Sequence, residues 1–409
     1  MKQFASDLVI ALRNLRRNPR RTFVSTMTVA GGILAFSLAS GFIAWIFVDM
    51  RDSTVRSQLG HVQIVRPDYF DKGIADPYSY LLGSGRAEFE KLAKVDGVVS
   101  VTPRLAFSGL ASLGDATVSF IGEGVFPEGE LPISARINID IGRNLKSENE
   151  AAVILGEGLA DSLGAKLGDR IVLLATTAQG GASAVETEVV GIFNTTSKEF
   201  DDHSLRLPIQ RARTLMRVEG ATAWVMLLDS HLRTSEVIAK LKSWLPANAY
   251  QIVPWSDLAD FYNKTVTLFT SQIQVVKVII GLIIVLSISN TLTMSVLERT
   301  TEIGTVLALG RRRHSVMRLF IIEGVLIGLL GGVMGVAIGW IAAQGISAVG
   351  IPMPPAPGMA HGFTGAVLFT PEIAAESVVL AVTTTLLASL LPALRASRLN
   401  IVDSLRYNQ

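Results

Sequence analysis

The sequence predicts an α-helical membrane protein: four transmembrane helices, with a large mixed α/β extracytoplasmic domain inserted between the first and second. Three observations carry this. Four stretches, near 22–48, 273–297, 316–346 and 372–394, hold almost no charged side chains. Basic residues gather in the short flanks on one side of those stretches. Residues 49–270 alternate strand-like and helix-like patterns. Outside the four stretches about 23% of residues are charged, an ordinary soluble value. The mean hydropathy of +0.42 is therefore an average over two materials, and a single soluble globule is excluded.

In chain order, residues 1–21 read as an amphipathic cytoplasmic helix carrying Lys2, Arg13, Arg16, Arg17, Arg20 and Arg21 against Asp7. The first span is 22–48. A secretory signal core runs only about 7–15 residues, so this longer run reads as an anchor. The second span is 271–297, its Lys277 near the outer end where it can snorkel. A loop at 298–313 leads to the third span, 316–346. A short segment, 347–371, leads to the fourth, 372–394, and a tail covers 395–409. A hydrocarbon core about 30 Å thick needs about 20 apolar residues, which each span supplies. Arg299, Arg311, Arg312, Arg313 and Arg318, then Arg395, Arg398 and Arg406, mark the cytoplasmic flanks, while 347–371 has no Lys or Arg. This places both termini in the cytoplasm and residues 49–270 on the far side of the membrane.

Within 49–270, strands are expected at His61–Arg66, Val98–Leu105, Thr117–Gly122, Val153–Leu155, Arg170–Leu174, Glu186–Phe193 and Trp224–Asp229. Helices are expected at Arg86–Val95, Glu157–Leu163 and Ser235–Leu245, with Gly164 as a C-cap. The alternation reads as a two-lobed binding module with an inserted lobe near 106–205. His61, His203, His231, His314 and His361 are scattered, and none has a paired-ligand spacing. The acidic group Glu199, Asp201 and Asp202 beside His203 reads as a solvated turn in a loop, with a metal or acid–base site as the alternative.

Lys plus Arg 37 against Asp plus Glu 35 leaves +2, so nothing argues for a nucleic-acid partner. The absence of cysteine excludes disulfides, thiolate metal sites and a cysteine nucleophile. No G-x-x-x-x-G-K-[ST] loop occurs, so the chain cannot hold nucleotide phosphates in that manner. It is expected to be non-catalytic and to bind no cofactor. Glu323 is the polar outlier inside a span, expected to fix the third span against a basic neighbour, with a proton relay as the alternative. Gly324, Gly328 and Gly332, like Gly331, Gly335 and Gly339, recur every four residues and predict helix–helix seams. Four helices are too few to enclose a large path, so a dimeric membrane unit is expected; membrane lipids are its other neighbours.

The 298–310 segment reads as a short amphipathic helix ending at Gly310. Ile303, Val306 and Leu307, with Leu309 nearby, form an apolar side, and Glu298, Arg299 and Glu302 a charged one. This suits docking into a groove on a soluble partner, or lying on lipid headgroups.

The run Asn290-Thr-Leu-Thr-Met-Ser-Val-Leu-Glu-Arg-Thr-Thr-Glu-Ile-Gly-Thr-Val-Leu-Ala-Leu-Gly310, with Phe320-Ile-Ile-Glu-Gly324, strongly resembles the FtsX-like/MacB-type ABC transporter permeases. Ala11-Leu-Arg-Asn-Leu-Arg-Arg-Asn-Pro-Arg-Arg-Thr22 and Pro392-Ala-Leu-Arg-Ala-Ser-Arg-Leu extend the match, and span order agrees, so it covers essentially the whole chain. The resemblance implies the MacB-like, type VII permease architecture. It implies a coupling helix (Glu298, Arg299, Glu302, Ile303, Gly304, Leu307 and Gly310) that contacts a separate ATP-binding subunit, present in two copies and using ATP and Mg. It further implies a second permease chain, identical or homologous, and mechanotransmission to the extracytoplasmic domain. Val190-Gly-Ile-Phe193, Glu199-Phe-Asp201 and Gly60-His-Val-Gln-Ile64 are similar to the lipoprotein-releasing LolC/LolE branch, which implies lipoprotein cargo and a periplasmic carrier or adaptor. Efflux of a drug, peptide or toxin, and FtsX-like signalling to a cell-wall hydrolase, remain the alternatives. Two departures from the family pattern stand out: Arg311-Arg312-Arg313 after the coupling-helix glycine, and Asn400 in place of the usual tail proline.

Overall fold

The computed structural model describes residues 2–74, 76–83, 86–195, 197–355 and 362–400, with no side-chain description for 2–6, 86 and 87. His361, Arg406 and the tail beyond Asn400 lie outside the described residues. In chain order the elements are α1 (Lys2–Arg17), α2 (Pro19–Thr54), β1 (Val62–Val65), α3 (Arg86–Leu92), β2 (Val98–Leu113), β3 (Ala116–Val125), α4 (Pro127–Glu130), β4 (Asn138–Gly142), β5 (Ala152–Gly156), α5 (Glu157–Leu163), β6 (Arg170–Thr176) and β7 (Ala182–Asn194). There follow α6 (Lys198–His203), β8 (Ser204–Pro208), α7 (Ile209–Met216), β9 (Ala223–Leu228), α8 (Thr234–Trp244), β10 (Gln251–Pro254), α9 (Trp255–Leu258), α10 (Asp260–Glu298), α11 (Thr300–Ala308), α12 (Arg313–Val349) and α13 (Pro371–Ser397). The chain divides into a helical unit (1–47, 266–352 and 364–409) and an inserted α/β unit (48–265 and 353–363).

In the helical unit α2, α10, α12 and α13 are each long and apolar enough to cross a membrane. All four outrun the spans read from sequence, because the helix persists past the apolar stretch into polar flanks. Glycines on α12 set the packing, and their two ladders face different partners. A Cβ placed on Gly324, Gly328 or Gly332 would lie 2.7, 2.0 or 2.9 Å from Ser389, Thr385 or Ala381 of α13. One on Gly331, Gly335 or Gly339 would lie 2.6, 2.8 or 2.5 Å from Val29, Ala30 or Ser37 of α2. Removing side chains from two faces of one helix lets two neighbours approach its backbone, the way helices associate where lipid is as apolar as leucine. Val29, Ile33 and Phe36 then meet Ile284, Ile288 and Leu292 of α10 in the core of this unit.

The inserted unit is built on one ten-stranded sheet ordered β10-β1-β9-β2-β3-β8-β5-β7-β4, with β6 paired to both β2 and β7. The pairings β2-β3-β8-β5-β7-β6-β2 form a closed circuit, so six strands make a barrel with no free edge among them. Leu105, Phe107, Phe120, Val153, Leu155, Ile171, Leu173 and Leu205 are buried in its core. This barrel is the lobe read near 106–205, but it has no separate sheet: the 16-residue β2 pairs with β9 through its first half and with β3 and β6 through its second. Strand β9 explains its own unbroken apolar sequence. Trp224, Met226 and Leu228 enter one core and Ala223, Val225 and Leu227 another, so both faces are covered.

The strands and helices expected from sequence are present; five of the seven strands run longer than read, while β1 and α3 are shorter. Elements β4, β8, β10, α4, α6, α7 and α9 were not expected. The Glu199–His203 segment is a helical turn, not a loop: Ser197 caps it by accepting from the Phe200 N–H, and Asp201 is buried, accepting from the Thr195 N–H and hydroxyl at 2.9 Å each. Gly164, at φ +65°, ends α5 as a left-handed C-cap.

Candidate coupling site

Helix α11 follows α10 after a single residue, Arg299, whose backbone leaves the helical region at φ −107°, ψ 14°. Thr300 mends the break, its hydroxyl donating to the carbonyls of Val296 (3.0 Å) and Leu297 (2.9 Å). At the other end Gly310 sits at φ +87°, a conformation that favours glycine, and the N–H groups of Leu309, Gly310 and Arg311 return to the carbonyls of Thr305, Leu307 and Val306. Nine residues are thus fixed as one rigid helix between two membrane-length helices.

The orientation of that helix corrects the expectation from sequence. Ile303 and Leu307, read as a face offered to a partner, are each only 7% exposed and pack into this chain's own core with Val296, Val316, Phe320, Ala393 and Ala396. Gly304 is buried with them. The outward face consists instead of Glu302, Thr305, Ala308 and Leu309, with Leu309 83% exposed. The apolar periodicity was visible in the sequence; which neighbour it served was not, because α12 and α13 offer an apolar seat from far along the chain.

Charged side chains lock the helix in place. The Arg299 guanidinium reaches both Glu302 and Glu323 at 3.3 Å. Asn14 donates to the same Glu323 oxygen at 2.6 Å, so this buried carboxylate is held from α1 and from the α10–α11 junction. Arg17 pairs with Glu302, and Arg21 pairs with Glu298 at 2.9 Å while donating to the Thr291 carbonyl at 2.6 Å. The Arg17 guanidinium holds the Glu302 carboxyl below the usual carboxylate range, against the opposing effect of partial burial and with help from Arg299. Buried Asp7 accepts from Arg311 at 2.6 Å and from Arg318 at 2.7 Å, tying α1 to the loop after α11 and to the start of α12. No pattern in the sequence joins residues some 300 positions apart, so the part played by α1 was not legible there.

A MacB-like periplasmic core domain model matches residues 22–244, more than half of the chain, and an FtsX-like permease C-terminal model matches residues 275–401, which include the whole of α11. The chain belongs to the MacB/FtsX-type ABC transporter permeases. An ABC transporter permease of Methanocaldococcus jannaschii is 23% identical over 84% of this chain and 84% of its own length. The lipoprotein-releasing system transmembrane protein LolC of Neisseria meningitidis serogroup B is 25% identical over 82% of this chain and 83% of its own. A macrolide export ATP-binding/permease protein MacB of Hyphomonas neptunium is 26% identical over 98% of this chain, which covers 61% of that protein. Among solved structures, the periplasmic region of MacB from Actinobacillus actinomycetemcomitans aligns over 53% of this chain and 96% of its own, with 14% identity and a TM-score of 0.37.

Membership of the permease family implies an ATP-binding partner. The inserted domain of the permease adds two features that sequence reading missed. One is a quartet of buried Arg206, Arg104 and Glu130 with half-buried Glu123: Arg206 pairs with Glu123 at 2.7 Å and lies 3.5 Å from Glu130, and Arg104 pairs with Glu130 and lies 3.5 Å from Glu123. Both arginines also donate to main-chain carbonyls, Arg206 to Ser57 at 2.9 Å and Arg104 to Gln58, where the helical segment after α2 ends. The other is a cleft of about 1180 Å³ lined by Tyr78, Phe107, Leu110, Phe120, Ile121 and Leu174 among others. Among the described residues no group of His, Asp and Glu is arranged to hold a metal ion.

Proposed function

We propose that this permease is the force-receiving subunit of a lipoprotein-releasing transporter that works by mechanotransmission. A separate ATP-binding subunit, in two copies, hydrolyses ATP with Mg and presses on the outward face of α11. Movement passes through the long helices to the inserted domain on the far side of the bacterial inner membrane, where a carrier accepts the cargo. The observation that carries the reading is the outward face of α11: Thr305, Ala308 and Leu309 project from a helix whose other side is seated in the permease and whose ends are fixed by ion pairs. A rigid helix seated this way transmits a push instead of absorbing it. Helices α2 and α10, of 36 and 39 residues, exceed the roughly 20 that a bilayer requires, which supports transmission beyond the membrane. The lipoprotein reading rests on likeness to LolC over most of both chains. A second permease copy, identical or homologous, completes the unit in this proposal.

The competing cargo reading, export of a macrolide-like compound, is favoured by likeness to MacB along nearly the whole chain. Depletion of the permease separates the two. Lipoprotein release from spheroplasts should fall while drug sensitivity stays constant; unchanged release with raised sensitivity would assign the chain to efflux. For the coupling face, Leu309→Asp should lose co-purification of the ATP-binding subunit while the permease keeps its melting temperature. Retained co-purification with normal transport would remove α11 from the contact.

A further inference from the structure

Helix α1 has two opposite stripes with different employment. Asp7, Ala11, Asn14 and Leu15 turn inward, where Asp7 and Asn14 serve the pairs described above and Leu15 joins the core. On the other side Val9 and Leu12 are 64% and 47% exposed, followed on the same stripe by exposed Arg13 and Arg16. The chain then bends through Asn18, where the Thr22 N–H donates to the Asn18 carbonyl and the Thr22 hydroxyl to that of Leu15, which fixes the angle between α1 and α2. Arg20 lies exposed in the first turn of α2, and one turn on Phe23 and Val24 are 63% and 61% exposed on the same side.

The basic residues here fall into two classes. Arg17, Arg21, Arg299, Arg311 and Arg318 all meet carboxylates of this chain. Arg13, Arg16 and Arg20 meet none among the described residues. These three cations stand between two exposed apolar residues of α1 and the apolar outer side of the first membrane-length helix, at the level where a bilayer's hydrocarbon gives way to headgroups. We infer that the outer face of α1 binds anionic phospholipid, with Arg13, Arg16 and Arg20 on the phosphates and Val9 and Leu12 against the acyl boundary. A soluble acidic protein would complement the charge, but it would not meet the apolar residues that flank the arginines on both sides; a lipid headgroup meets both. Because the inner stripe of the same helix holds Glu323 and Arg17 holds Glu302, the lipid bound outside and the seating of α11 inside share one rigid element. The inference rests on the membrane assignment alone and stands or falls separately from the cargo.

The test uses the full chain in nanodiscs of mixed phosphatidylglycerol and phosphatidylcholine, with retained lipid counted by native mass spectrometry after extraction. Each arginine near a charged surface contributes about 1 kcal/mol, about a fivefold change in binding. Single R13Q, R16Q and R20Q variants should each lower the preference for phosphatidylglycerol about fivefold, the triple variant most, and salt should weaken the wild-type preference. The singles keep the question decidable if the triple fails to assemble. Wild-type preference in the single variants overturns the inference. So does unchanged lipid retention with loss of the ATP-binding subunit, which would assign the arginines to that protein.

Discussion

The two units of this permease solve the same problem, burying backbone and charge, by opposite means. The helical unit packs by subtraction: six glycines on α12 leave out side chains so that α2 and α13 can approach. The inserted domain packs by filling, with Leu105, Phe107, Phe120, Ile171 and Leu205 occupying a closed barrel. Water explains the difference. A soluble domain gains roughly 25 cal/mol per Å² of apolar surface removed from water, so large side chains are its stabilising material. Helices in lipid gain nothing that way and rely on close contact. Charge is handled alike in both: each unit buries carboxylates against arginines from distant sequence, Glu323 and Asp7 in one, Glu123 and Glu130 in the other.

The largest expected effect breaks the charge arrangement of the domain. Arg206→Leu leaves Glu123 and Glu130 short of a partner inside the fold, and removal of one partner of a buried pair costs about 3–5 kcal/mol. The melting transition of the detergent-solubilised chain should fall sharply, and adding Glu123→Leu should recover part of it. If R206L melts like wild type, the quartet contributes nothing to the fold. Next in size, Gly328→Leu forces a branched side chain where a Cβ alone would stand 2.0 Å from the Thr385 hydroxyl. Overpacking of this kind costs about 1–3 kcal/mol, and here the upper end is expected. Gly345→Leu, with nothing within 4 Å of its Cβ, is the matched control on the same helix. Equal behaviour of the two variants in assembly and transport would show that the ladder faces lipid.

The same contrast governs how much could be read from sequence. Apolar length and charge asymmetry reveal membrane helices because a bilayer imposes both, and the glycine interval of four is a property of the helix itself. The sequence did not tell that the two ladders serve two neighbours, since that depends on the angular offset between Gly328 and Gly331 and on what lies there. In the domain, long strands with alternating burial such as β6 were legible. The short β8 was not: it carries Arg206, which reads as a surface residue until Glu123 and Glu130 arrive from elsewhere. Helix α7 was missed although Ile209, Ala212, Leu215 and Met216 share a face; a window starting at the residue after Pro208 would have found it. Around α11 the helix and its glycine stop were readable. The inward seating of Ile303 and Leu307 was not, because amphipathicity says that a face is buried but not by whom.

A smaller effect sharpens the comparison of buried carboxylates by pH. Burial raises the Glu123 carboxyl, but Arg206 and Arg104 outweigh it and hold the group below the usual range. Its contribution is therefore present above the ordinary glutamate value and fades as pH falls through the depressed one. Asp201 has no such cation: burial pushes it up to about 6, and the two hydrogen bonds from Thr195 offset this only in part. Its contribution runs the other way, complete below the ordinary aspartate value near 3.8 and lost as pH rises through about 6, a change on the order of 3 kcal/mol. Asp201→Asn keeps an acceptor for the Thr195 N–H and offers its amide to the Thr195 hydroxyl. The variant should match wild type at pH 4 and exceed it at pH 7.5. A variant less stable than wild type at pH 7.5 would mean that the ionised carboxylate is needed by the fold.

The smallest effect lies at α11, the proposed coupling helix, and separates seating from stability. Glu302 is about half exposed and meets Arg17 and Arg299 at the surface, where such pairs contribute about 0–1 kcal/mol and are screened by salt. Glu302→Gln should therefore leave the melting temperature within about 2 °C at 0.15 M salt and indistinguishable from wild type near 1 M. If α11 transmits force only while its ends are fixed, the same variant should lower transport for each ATP hydrolysed, and Arg17→Gln should do the same because it frees the same carboxylate from α1. A drop in stability large enough to account for lost transport would make Glu302 a structural residue. Unchanged coupling in both variants would leave Ile303, Leu307 and the Glu323 pairs as all that the helix requires.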